Sequence, residues 1–182
     1  MRIIITGAHG TGKTTLVTAI KATPAFYHYG IVPSARQKLL DLGIPHSELG
    51  SELTQRVYME HCLSYKDHYN VICDRCVVDV LAYTHYLFTQ NKVSNDFALG
   101  QEKIVRDYFD HQVHTDKIFF LEPEFDILEQ EHPDGGVRTI DKEYQQAISD
   151  NIENILDTLE ISYALISGCP TKRLLSVLEK LS

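Results

Sequence analysis

Four short apolar runs, each closed by polar or glycine residues, set the frame of the chain: Arg2 to Thr6, Gly30 to Val32 with a few residues before it, Asn70 to Asp74, and Lys117 to Leu121. A fifth run covers Ser162 to Ser167. They are rich in Ile, Val, Phe or Tyr and read as continuous rather than alternating apolar segments. That pattern predicts strands of a parallel sheet covered on both faces.

The stretches between them carry helical spacing. Helices are predicted over Lys13 to Lys21, Ser51 to His68, Val77 to Gln90, Asn95 to His111, Asp141 to Leu159 and Thr171 to Leu181. In the second of these, Leu53, Val57 and Cys62 fall on one stripe, and Ser51 with Thr54 supplies hydroxyls for the amino end. Ile148, Ile152, Ile155 and Leu159 recur at the period of a core-facing helix. Strands alternating with helices imply a doubly wound α/β sheet, here one domain over 1–182. In such sheets ligands sit beyond the carboxyl ends of the strands. Two segments read as irregular: Leu42 to Ser51, with Gly43, Pro45 and Gly50, and Glu129 to Ile140, with Pro133, Gly135 and Gly136.

Composition narrows the class of partner. The 182 residues are 43% hydrophobic and 23% charged, which suits an ordinary globular domain. The amino-terminal apolar run is too short to span a bilayer and lacks the shape of a signal peptide, so a cytoplasmic location without membrane contact is expected. A formal net charge of -8 and the lack of a dense Lys/Arg cluster weigh against a long nucleic acid partner. Cys73 and Cys76 have C-x-x-C spacing. Cys73 lies inside an apolar run, however, and no second pair completes a structural zinc site, so packing is the expected role.

The strongest chemical signal is Gly7-Ala8-His9-Gly10-Thr11-Gly12-Lys13-Thr14, which satisfies G-x-x-x-x-G-K-[ST] between a strand and a helix. Gly7, Gly10 and Gly12 let the backbone turn sharply and approach phosphates. The N–H groups from His9 through Thr11 and onward, with the helix amino end, face the anion. Lys13 is expected at the β- and γ-phosphates and the Thr14 hydroxyl at Mg²⁺, with Thr15 capping or packing. ATP with Mg²⁺ is the expected cofactor pair.

The run Asn70-Val71-Ile72-Cys73-Asp74-Arg75 ends on an acid and a base. Asp74 could hold Mg²⁺ through water or accept the proton of an attacking hydroxyl. Arg75 could bind an anionic part of the acceptor or the transferred phosphoryl group. The alternative is an ion pair between the two. Asp74-Arg75, then Asp79, then Ala82-Tyr83, resembles the Asp-Arg…Ala-Tyr segment of thymidylate kinases and the related segment of deoxynucleoside kinases. That resemblance implies acceptor contacts from Arg75, Asp79 and Tyr83, with core packing as the other reading of Tyr83.

A broader resemblance covers nearly the whole chain. The phosphate loop, Pro33-Ser34-Ala35-Arg36, the Asp74 strand, Asp134-Gly135-Gly136-Val137-Arg138 and Ile166-Ser167-Gly168 are similar in order to the AAA-28 group of small P-loop proteins. That group includes the ribosylnicotinamide kinase domain of bifunctional NAD-salvage regulators. It implies a three-layer P-loop fold with a five-stranded parallel sheet and a lid over about 129–140. Arg36 is then expected beside the acceptor, Arg138 on the lid as a catalytic cation, and Gly168 beside the adenine. The sequence departs from those families at Ser34, where a Glu often serves as acid or base.

These signs converge on a phosphotransferase acting on a small nucleoside or nucleotide. A nucleoside monophosphate is favoured because Arg75 suits a phosphate dianion. Alternatives are a ribosylnicotinamide or nucleoside kinase, and a non-kinase P-loop ATPase that binds a partner. A GTPase would need Asn-Lys-x-Asp, and Asn91-Lys92-Val93-Ser94 lacks the final acid. A homodimer is left open.

Overall fold

The computed structural model describes residues 1–111, 116–124 and 141–181. Five strands among them form one parallel sheet: β1 (Arg2–Gly7), β2 (Gly30–Val32), β3 (Val71–Asp74), β4 (Asp116–Leu121) and β5 (Tyr163–Ile166). Their order is β2-β3-β1-β4-β5. This is the α/β architecture expected, with strand ends displaced by a residue or two.

Period-two alternation along β1 divides the core into two layers. Ile3 and Ile5 point to one face, where α1 (Lys13–Lys21) and α7 (Pro170–Leu181) supply Leu16, Val17, Ile20 and Val177. Ile4 points to the other, packed with α4 (Val77–Thr89) and α6 (Lys142–Thr158) through Val78, Leu81, Ile148 and Ile152. All three isoleucines are almost wholly removed from water, and each contributes roughly 1.5–3 kcal/mol by burial. The remaining α-helices among the described residues are α2 (Arg36–Asp41), α3 (Glu52–Ser64) and α5 (Asn95–His111).

Three details differ from the sequence pattern. The six-residue α2 is too short to show helical periodicity, which is why it was not expected. Helix α3 ends at Ser64 rather than His68, and Leu53 is 55% exposed rather than part of a buried stripe. The inward face of α3 instead carries Thr54, Gln55, Val57 and Met59, because part of it borders a cavity rather than apolar core. The expected hydroxyl cap is present: the Ser51 N–H donates to Thr54 Oγ1 at 3.0 Å.

Strand register places the chemistry. Ile5 pairs with Asp74 and Gly7 with Leu121, so β3 ends beside the start of the glycine loop. At the opposite edge Arg2 pairs with Asp116, and its buried guanidinium donates to that carboxylate, with Nε at 2.8 Å. That ion pair anchors β1 to β4 at their amino ends.

Candidate active site

The glycine loop closes over the end of β1. Gly7 has φ +148, and a Cβ there would lie 2.7 Å from the Leu121 carbonyl oxygen, so no side chain fits. Gly10 and Gly12 have φ +76 and +86, the left-handed region that glycine reaches without strain. Thr11 is buried beneath the loop and donates to the Ala8 carbonyl at 3.0 Å. Lys13 is also buried, and its Nζ donates to the same carbonyl at 2.5 Å.

Thr14 Oγ1 donates to Asp74 Oδ2 at 2.5 Å. A hydroxyl and a carboxylate oxygen at this separation are hard donors of the kind Mg²⁺ takes, the ion keeping waters for its other positions. No group of three His, Cys, Asp or Glu converges among the described residues. The residues present therefore fit an ion shared between protein, phosphate and water rather than one caged by protein alone.

A cavity of about 380 Å³ opens beside the loop, within the range of small-molecule sites. Its lining includes His9, Gly10, Gly12, Lys13, Thr14 and Thr15 from the glycine loop and the start of α1, together with Arg36, Asp74, Arg75, Asp79 and Tyr83. Gly168 lies elsewhere, at the turn before α7, and its N–H donates to Glu124 Oε2 at 2.5 Å. Arg138 and the lid segment 129–140 lie outside the described residues.

The Asp74-Arg75 pair is not joined to itself. Arg75 Nη1 reaches Asp79 Oδ1 at 3.2 Å, and the guanidinium lies 5.2 Å from the centre of the Tyr83 ring. Burial opposes the Arg75 charge, but Tyr83 and Asp79 outweigh it, so the group stays protonated. Its backbone has φ +91, an unusual state for a non-glycine residue that the surrounding contacts must hold.

Asp79, 1% exposed, is saturated by donors. Oδ1 receives the Gly7 N–H at 3.3 Å as well as Arg75, and Oδ2 receives Thr6 Oγ1 and the Cys76 N–H, both at 2.9 Å. It is the third residue of α4 and closes a capping box with Cys76. Its carboxylate ties the phosphate loop, the helix start and Arg75 together.

His9 is held neutral. Burial first, then the cations Arg75 and Lys13, push its imidazole down to about 3. Its Nδ1 is 3.3 Å from the Tyr83 hydroxyl, and the ring stacks 4.7 Å from that of Tyr144. The thiols of Cys73 and Cys76 are pushed up by burial, Cys73 to about 12, so neither is a thiolate at neutral pH.

Four residues at or behind the site were not foreseen. Gln55 and His46 line the cavity, the former 2% exposed with Oε1 unpartnered among the described residues. Gln145 and Arg173 bond to loop carbonyls from α6 and α7. A polar residue at an inward helix position, as at Gln55, was the available signal.

A parallel α/β sheet with a glycine-loop phosphate cradle at the end of its central strand defines a P-loop protein. The AAA domain family (AAA_28) matches residues 2–173, and the chain belongs to that family. No curated protein matches the sequence. Among solved structures, the NadR protein in complex with NR superposes at a TM-score of 0.73 with 12% identity, over 98% of this chain and 48% of that one. The chain thus spans about half the length of NadR. Thymidylate kinase from Candida albicans gives 0.67 and 15% over 99% and 90%. Deoxyadenosine kinase from M. mycoides gives 0.63 and 15% over 100% and 98%. The chain shares the fold of these P-loop kinases. No helix among the described residues is long and apolar enough to cross a membrane.

Proposed function

We propose that the protein transfers the γ-phosphoryl group of ATP to a nucleoside monophosphate. One observation carries this reading. Among the described residues, the cavity beside Lys13 presents the cations Arg36 and Arg75, and its two carboxylates, Asp74 and Asp79, both already accept hydrogen bonds from the protein. Asp79 is saturated by four donors, Asp74 Oδ2 accepts from Thr14, and Ser34 stands where the kinases that the sequence resembles often carry a Glu as acid or base. A sugar hydroxyl needs a base to become a nucleophile. A phosphate monoester arrives already ionised.

In the proposed reaction an acceptor phosphate oxygen bonds to the γ-phosphorus, the bond from that phosphorus to the β–γ bridging oxygen breaks, and ADP leaves. Lys13 and the loop amides hold the β- and γ-oxygens, Arg75 orients the acceptor phosphate, and Arg138 would add charge from the lid. Mg²⁺ held by Thr14 and Asp74 would neutralise charge between the β- and γ-phosphates. Gln55, a cavity-lining amide whose buried Oε1 has no partner among the described residues, is the group suited to read a base edge by hydrogen bonding.

The test is a panel of nucleosides, ribosylnicotinamide and nucleoside monophosphates, each incubated with ATP and Mg²⁺ and followed by ADP release. Turnover only with monophosphates supports the reading. Turnover with nucleosides alone would shift it to a nucleoside kinase, and ADP release independent of any acceptor would shift it to a non-kinase ATPase.

A further inference from the structure

We propose that Gln145 and Arg173 are positioning residues that aim the amides of the phosphate loop without touching the nucleotide. In a planar trans peptide the C=O of one residue and the N–H of the next point in opposite directions. A donor that holds the carbonyl on the protein side therefore turns the following N–H outward.

Three carbonyls of the loop have such a donor. Ala8 O is held by Lys13 Nζ and Thr11 Oγ1, which directs the His9 N–H. His9 O accepts from Gln145 Nε2 at 2.6 Å, which directs the Gly10 N–H. Thr11 O accepts from Arg173 Nη1 at 2.5 Å, which directs the Gly12 N–H. The N–H groups of His9, Gly10 and Gly12 donate to nothing among the described residues. The first clamp is local to the motif. The other two come from residues 136 and 162 positions away.

Both outer clamps are buried, Gln145 at 4% and Arg173 at 2% exposure. Burying a guanidinium costs free energy that an apolar residue would avoid. Arg173 offsets it with several acceptors: Thr11 O, Gly168 O at 2.7 Å, Glu122 O at 3.1 Å and Glu124 Oε2 at 3.0 Å. Only a planar fork of fixed donors meets acceptors from the phosphate loop, the end of β4 and the turn before α7 together. Glu124 also accepts the Gly168 N–H, so one ion pair, buried at Arg173 and exposed at Glu124, ties the turn before α7 to the loop that holds the phosphates.

This inference rests on reading the loop as a polyphosphate site, and the probe is chosen to separate the two. Inorganic tripolyphosphate with Mg²⁺ is titrated into the native protein, Gln145→Leu, Arg173→Lys and Arg173→Met, with free-protein unfolding midpoints recorded and titrations kept well below them. Loss of one oriented amide is expected to weaken binding by about tenfold in Gln145→Leu and Arg173→Met, with Arg173→Lys intermediate. In amide NMR spectra of the free protein, the Gly10 signal should move in Gln145→Leu and the Gly12 signal in the Arg173 variants. Native-like affinity and unmoved glycine signals in Gln145→Leu and Arg173→Lys would overturn the proposal even if Arg173→Met failed to fold. No binding by the native protein would overturn the phosphate-site reading as well.

Discussion

Thr14 Oγ1 donates to Asp74 Oδ2 across 2.5 Å, although the two residues are sixty positions apart in the chain. The contact joins the first turn of α1 to the end of β3, because the register that pairs Ile5 with Asp74 sets the two side by side. It gathers, in the lining of the cavity, the two oxygens that would share a divalent ion.

Asp74→Asn keeps the shape and removes the charge. Transfer should fall by roughly a hundredfold, and the Mg²⁺ concentration for half-maximal rate should rise. Initial rates across a Mg²⁺ titration check this. An unchanged Mg²⁺ dependence would place the ion elsewhere.

Lys13→Met retains the aliphatic stem and loses the ammonium. Transfer should drop by about a hundredfold or more, while thermal unfolding stays near that of the native protein, since the lost bond from Nζ to Ala8 O has a second donor in Thr11. Undiminished transfer would defeat the role given to Lys13.

Asp79→Ala removes the carboxylate partner of Arg75 Nη1 and the acceptor of three further donors in a nearly dry setting. A loss of roughly 3 to 5 kcal/mol in unfolding free energy is expected, read from urea denaturation. Arg75→Lys should be far milder for stability yet raise the acceptor KM more than the ATP KM.

His9 predicts a signature in acid. Its folded pKa of about 3 lies below the ordinary value near 6.5. Between those values the unfolded chain binds the extra proton, so the penalty is absent above about pH 6.5 and grows as the pH falls toward 3. The slope reaches about 1.4 kcal/mol per pH unit. The stability difference between native protein and His9→Asn should therefore change between pH 6.5 and 5. Parallel curves in urea denaturation would show that His9 titrates normally.

If the acceptor brings its own charge, kcat/KM for a monophosphate should rise through about pH 6, where the dianion forms, with no further limb from an enzyme base near neutrality. A limb that stays in place when the acceptor's own pKa is altered would point to a protein base.

The chain's local structure was readable in advance. The glycine motif is contiguous, its strand and helix adjoin it, and the alternation of apolar runs with helical stretches specifies a parallel sheet because each pattern is written in neighbouring residues. The strand ends near Asp74 and Ile166 followed from the same runs. What the tertiary structure alone decided was how the side chains spend their bonds. Asp79 resembled an acceptor contact in sequence, yet four donors from β1, the start of α4 and Arg75 converge on it. Gln145 and Arg173 looked like ordinary helix positions, and only the crossovers of the sheet bring them to the carbonyls of a loop more than a hundred residues earlier. Periodicity tells which face of a helix turns inward. It cannot tell which distant polar group waits there, because that depends on strand order and register, and those are settled only when the whole sheet closes.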